Sequence, residues 1–177
     1  MNALLKAVLP GFALFGLVAS SCARAQAPNT QPQSAEPGSS VSSSAAMAAV
    51  HASLTACAGS NIAIAIIDSA GAPKLIFVPD GTSGRMGELA RRKANTALRF
   101  GRPSSETRDL AKTDAQLAAQ IRGDQSLAAF GGGLDLSNDG RSLGALGVAG
   151  ANAQADDERC ATAGLTSLDS ELQNRAK

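Results

Sequence analysis

Apolar residues recur at helical spacing in four stretches of the chain, with strand-like runs between them. In residues 45–58 (AAMAAVHASLTACA), Met47, Val50, Leu54 and Cys57 fall on one face. Ser44 can cap the start of this predicted helix, and Gly59 ends it. Residues 62–67 (IAIAII) form a β-branched run with alanine at alternate positions, Asp68-Ser69-Ala70-Gly71 is a turn, and residues 74–78 (KLIFV) return as a partner strand. A helix is predicted from Met86 to Phe100, with Ala90, Ala94 and Ala97 inward and Gly101 and Pro103 stopping it. A second helix is predicted over 105–122, where Leu110, Leu117 and Ile121 make a stripe too thin for more than surface packing. Residues 127–133 and 134–136 are strand-like and Gly-rich. Asn138-Asp139-Gly140 turns the chain, and residues 142–149 (SLGALGVA) run back with both faces small or apolar, as suits a central strand. The last helix, 154–174, buries Ala161, Leu165, Leu168 and Leu172, while Asp156, Asp157 and Glu158 complement its dipole. Strand pairs with hairpin turns, separated by helices, predict an antiparallel sheet in an α+β domain.

The N-terminus has a different pattern. Lys6 precedes an uncharged, mostly apolar run over 7–19, and Ala23-Arg24-Ala25 offers small residues at both positions that a signal peptidase reads. Residues 1–25 are therefore expected to be a cleavable export signal, the run being shorter than the ~20 residues of a bilayer span. Ala19-Ser20-Ser21-Cys22 offers a minority alternative, a lipid anchor on Cys22, although the usual Leu three residues before the Cys is missing. Residues 26–44 are rich in Pro, Ser and Gln with one charge, Glu36, and read as a disordered linker; the folded domain is expected over 45–177. Export predicts a periplasmic or secreted protein.

Loss of Lys6 and Arg24 from the 16 basic residues leaves 14 against 15 acidic, a formal net charge of −1. Neither a basic field nor an aromatic platform remains for nucleic acid: Trp and Tyr are absent, and only Phe77, Phe100 and Phe130 survive cleavage. Two cysteines remain, Cys57 and Cys160. In an oxidising compartment an even pair invites a disulfide, and packing of the first and last helices on one face of the sheet would bring them together. Without a Cys-x-x-Cys or a Cys/His cluster, neither a zinc site nor a covalently attached haem is expected.

Three segments resemble a known family. Residues 62–74 (IAIAIIDSAGAPK) are similar to its strand–"D-x-x-G"–strand opening. Residues 90–97 (ARRKANTA), followed by Phe100 and Pro103, are similar to its "A-R-x-K-A-x-T-A" helix. Gly132-Gly133-Leu134, Asp139-Gly140, residues 144–150 (GALGVAG), Asp157-Glu158 and Ala161 follow its "G-G-x-P…D-G…G-A-I-G-V-S-G…D-E-x-x-A". The chain thus resembles the GlcG/HbpS-like haem-binding family, to which the C-terminal domain of PduO-type corrinoid adenosyltransferases is related. The resemblance implies a profilin-like fold, a five-stranded antiparallel sheet with helices on both faces, in a homo-oligomer. It implies a small-molecule ligand, foremost haem or a related tetrapyrrole as cofactor. Roles in small organic acid metabolism of the glycolate type, or a purely structural domain, are the alternatives. Asp135 stands where the family often has Pro, and Ala149 where Ser is usual.

Lys93 lies on the apolar stripe of its helix. It either aims an ammonium at a ligand carboxylate or pairs with a buried acid such as Asp68; the structural pairing is favoured. Arg92 and Arg99, with Arg85, Arg91 and Arg102, form a cationic face suited to propionates or to solvent. Thr96 belongs to the family helix and either contacts the ligand or packs. His51, the single histidine, is the candidate axial metal ligand, against the plainer reading of a half-exposed helix residue. Met47 and Met86 are weaker ligand candidates. The glycine clusters at 131–133 and 144–150 fit close packing better than an anion cradle. No nucleophile–histidine–acid grouping argues for an enzyme.

Overall fold

Alternating isoleucine and alanine let one strand be buried on both faces, and this strand becomes the middle of the sheet. The computed structural model describes residues 41–138 and 140–175. In it, strand β1 (Ala63–Asp68) lies between β2 (Pro73–Phe77) and β4 (Arg141–Ala149), and β3 (Gly133–Asn138) lies outside β4. Every pairing is antiparallel, so the β1–β4 ladder joins both predicted hairpins in one sheet. At the first turn the Asp68 carboxylate accepts from the N–H groups of Ala70 and Ala72, at 3.0 and 2.9 Å.

The two faces of this sheet carry different residues. One presents Ile64, Ile66, Leu134, Leu136, Leu146 and Val148 to helices α1 (Ser43–Ala56) and α5 (Gln154–Arg175), which pack on each other. The other presents Ala65, Ile67, Ala145, Gly147, Ala149 and Gly133 to helix α2 (Gly84–Phe100), whose Ala90, Ala94 and Ala97 are fully buried. A Cβ on Gly147 would run into the Ala90 carbonyl oxygen, and one on Gly133 into that of Lys93. The glycines are there for close approach of helix and sheet backbones. Beyond α2 follow two short helices, α3 (Ser104–Leu110) and α4 (Ala115–Gly123).

The α+β class and the helices on both faces are as expected, but the sheet has four strands among the described residues, not five. Residues 127–132 are not a strand; their backbone groups bond to side chains of α2 and α3, as described below. The helix predicted over 105–122 is two helices, because the Asp114 carboxylate accepts from the N–H groups of Gln116 (2.9 Å) and Leu117 (3.0 Å) and starts a new one. In α1 the N-cap is Ser42, which accepts from Ala45 N, and Val41 is buried, so the folded part begins before the expected linker boundary at 44. Met47, expected inward, is 50% exposed; Ala45, Ala46, Ala49, Val50 and Ser53 make the buried face, where the small Gly164 of α5 comes close to Ser53 and Ala49. The export signal, most of the linker, Cys22 and Asp139 lie outside the described residues.

Cys57, just after α1, and Cys160 of α5 have Cα atoms 5.7 Å apart, within disulfide range. A crosslink here spans a sequence separation of 103 residues and constrains the unfolded chain by about 4–5 kcal/mol in the chain-entropy treatment. Oxidised protein should therefore show no free thiol among these two on alkylation of the native state. The Cys57→Ser/Cys160→Ser double variant should unfold at clearly lower denaturant concentration. Two alkylatable thiols before reduction would contradict the pairing.

Candidate functional site

Helix α2 has an alanine-lined inner face interrupted by two polar residues, and both have partners. Lys93 is 2% exposed. Its ammonium donates to Asp157 Oδ2 at 2.7 Å and to the Val148 carbonyl at 3.0 Å. Asp157 lies in the first turn of α5, and its other oxygen accepts from Ala151 N at 2.9 Å. The pair thus ties the helix on one face of the sheet to a helix on the other, past the end of β4. Burial pulls the Lys93 pKa below its ordinary 10.5, while the carboxylates of Asp157 and Glu158 oppose that shift. The acid that Lys93 meets is therefore Asp157 and not Asp68, which faces Lys74 at 3.9 Å. Asp157 is a buried ion-pair partner and not merely a helix-end charge.

Thr96 is also fully buried. Its hydroxyl donates to the Arg92 carbonyl at 2.9 Å and accepts from Ala128 N at 2.8 Å. Arg92 Nη2 donates to the Leu127 carbonyl at 2.7 Å, and Asn95 Nδ2 to that of Ser126 at 3.2 Å. Ser104 Oγ of α3 donates to the Phe130 carbonyl and accepts from Gly133 N. Four side chains thereby satisfy backbone groups that a sheet ladder would otherwise have taken. They hold residues 126–130 as a strap across α2, and the ladder starts only where Val148 N donates to the Gly132 carbonyl at 2.8 Å.

Between the strap, Arg92 and the α3–α4 arm lies a cleft of about 450 Å³. Its walls are apolar: Ala111, Ala118 and Ile121 on the arm, and Leu127 to Phe130 on the strap. Four cations line it, Arg92, Arg108, Lys112 and Arg122, with one acid, Asp124. That acid is occupied. Arg99 donates to its Oδ2 at 2.6 Å, Ser126 donates to its Oδ1 from both N and Oγ, and these bonds hold its pKa down. Nearby Asp109 accepts from Arg108 (3.1 Å) and Lys112 (2.8 Å), which bring its pKa to about 2. Arg122 has no ion pair among the described residues, and Arg92 Nε is buried with no acceptor. Amphipathic anions suit such a site: apolar surface for a ring or chain, and guanidinium groups for carboxylates.

The predicted site residues thus separate. Arg92 reaches the cleft. Thr96 stands behind its wall as a structural hydroxyl. Lys93 is locked under the helix, and Arg99 holds Asp124 at the rim and lies over the Phe100 ring at 5.8 Å. His51 is exposed on α1, across the sheet from α2, so it does not meet the cleft. Sequence reasoning missed Arg108, Lys112, Arg122 and the strap. The available signal was the cations flanking the thin apolar stripe of the arm. Among the described residues no group of three or more His, Cys, Asp or Glu can hold a metal ion, and no helix is long and apolar enough to cross a membrane.

The family model described as haem degrading protein HbpS-like matches residues 41–166. Among solved structures, HbpS is similar at 29% identity and a TM-score of 0.65, over 80% of this chain and 96% of that one. A double mutant of HbpS from Streptomyces reticuli gives 29% and 0.64, over 78% and 97%. A PduOC–haem complex shares the fold, at 23% identity and 0.66, over 72% and 94%. No curated protein matches the chain.

Removing one partner of a buried pair strands the other charge, at a cost of about 3–5 kcal/mol. Asp157→Asn should lower stability by that order, as read by denaturant unfolding at neutral pH. In this variant the folded-state pKa of Lys93 falls further below the unfolded value, so the folded state binds fewer protons. Its stability should then rise as pH increases from the folded pKa toward 10.5, an ascent larger than in the parent protein. A variant as stable as the parent would show the pair to be dispensable.

Proposed function

The chain belongs to the HbpS-like family, and on that premise we propose that it is an exported binding protein for haem or a related tetrapyrrole, held in the cleft between α2, the strap and the α3–α4 arm. The cleft carries this reading: four cations edge an apolar slot of about 450 Å³, within the range of small-ligand sites. Ile121, Leu127 and Phe130 would face the ring, and the guanidinium groups of Arg92 and Arg122 would hold its carboxylates. The residues present fit the periphery of a porphyrin. They do not fit its iron, since among the described residues no His, Cys, Met or Tyr lines the cleft. Binding, not a reaction at the metal, is therefore the activity proposed.

Haemin titrated into residues 26–177 should give a saturable shift of its Soret band. Arg122→Ala, which removes a cation without a structural partner, should weaken binding about tenfold. No shift with the parent protein would overturn the reading.

Lys6, the apolar run over 7–19 and Ala23-Arg24-Ala25 support an export signal and so a periplasmic or secreted location, and the family resemblance supports a homo-oligomer. When the full chain is produced in a bacterium, the protein recovered outside the cytoplasm should begin at Gln26 and show a native mass that is a multiple of the chain. A cytoplasmic product starting at Met1, or a lipid-modified Cys22, would contradict the cleavage site.

A further inference from the structure

We infer that the cleft recognises the carboxylates and apolar face of its ligand and is indifferent to the metal, so that a metal-free porphyrin binds as well as haemin. This inference rests on the proposed tetrapyrrole reading and narrows it.

The donor inventory comes first. The chain has one histidine and no tyrosine. His51 and the half-exposed Met47 both sit on α1, against the opposite face of the sheet from α2. Cys57 and Cys160 face each other at disulfide spacing. Met86, at the start of α2, lines a different and smaller groove of about 230 Å³ with Arg85, Glu88 and Leu89.

The hydroxyl and carboxylate oxygens at or behind the cleft are already engaged, and Gln125 offers only a neutral amide. The Thr96 hydroxyl donates to Arg92 O and accepts from Ala128 N. Both Asp124 oxygens accept hydrogen bonds. Lys112 is an ammonium 2.8 Å from Asp109 and in that form has no lone pair for a metal. Lys93 is buried on Asp157.

The charges point the same way. Arg122 has no ion pair among the described residues, and Arg92 belongs to the lining with its Nε buried and its Nη2 on the Leu127 carbonyl. A lining with this excess of cations suits anionic oxygen. A site of this kind reads the propionate edge and the flat apolar face, both of which are shared by the free porphyrin and its metal complexes.

Residues 26–177 are titrated with haemin, protoporphyrin IX, and the dimethyl ester of protoporphyrin IX, with binding followed by absorbance and by quenching of porphyrin fluorescence. Haemin and the free porphyrin should bind within about threefold of each other, and the ester at least about tenfold more weakly. The spectrum of bound haemin should be unchanged in His51→Ala and in Met86→Leu. Haemin binding about tenfold or more tighter than the free porphyrin, or loss of its Soret shift in either variant, would overturn metal indifference while leaving the tetrapyrrole reading intact. Failure of both porphyrins to bind would overturn both. Equal binding of the ester would remove the carboxylates from the recognition.

Discussion

Helix α2 lies so close to the sheet that its backbone carbonyls occupy space where β3 and β4 would otherwise carry side chains. Gly133 and Gly147 meet the carbonyls of Lys93 and Ala90, and alanines fill the rest of the contact. The opposite face is built from isoleucine, leucine and valine, whose larger side chains pack with those of α1 and α5. This asymmetry has consequences for the polar residues of α2. A lysine on a helix so tightly seated cannot reach solvent along its own stem. It reaches past the end of β4, where Asp157 and the Val148 carbonyl receive it. The pair costs desolvation and fixes the relative position of the two helical layers, since separating either partner leaves a bare charge.

The same seating decides what becomes of residues 126–130. Leu127, Ala128 and Ala129 are apolar and buried, and buried backbone must be paired. The side chains that pair it come from α2 and α3: Arg92, Asn95 and Ser104 donate to its carbonyls, and Thr96 accepts from the Ala128 N–H. A strap held by side chains can leave the plane of the sheet, which a ladder strand cannot. By leaving it, the strap forms one wall of the cleft. The cleft is thus a product of the missing fifth strand, and the family motif residue Thr96 serves it from behind as a hydrogen-bonding post.

The charges at the cleft follow a comparable logic. Acids near the mouth are already matched, Asp124 by Arg99 and Asp109 by Arg108 and Lys112. What is left over is guanidinium. Arg99, which as a bare sequence position looks like a ligand contact, instead neutralises Asp124, the acid of the cleft lining. The cationic face of α2 thus divides: Arg99 pairs with Asp124, while Arg92 reaches the cleft lining.

Much of this molecule could be read along the chain, because strand and helix periods are local. The Ile/Ala alternation of β1, the alanines of α2 at three- and four-residue spacing, the doubly apolar β4 and both hairpin turns each need only a few neighbouring residues to specify them. Cys57 and Cys160 could be expected near each other because the first and last helices pack on one face of the sheet. The break at Asp114 is local too: its capping carboxylate competes with a weak apolar stripe and wins. Other features have no local period. Lys93 finds its acid 64 residues away, and Thr96 its amide 32 residues away. Which partner answers a buried polar group depends on what packing brings within about 3 Å, the reach of a hydrogen bond. That information exists only once the sheet has closed under α2, and the cleft, its cations and the place of His51 outside it belong to the same level.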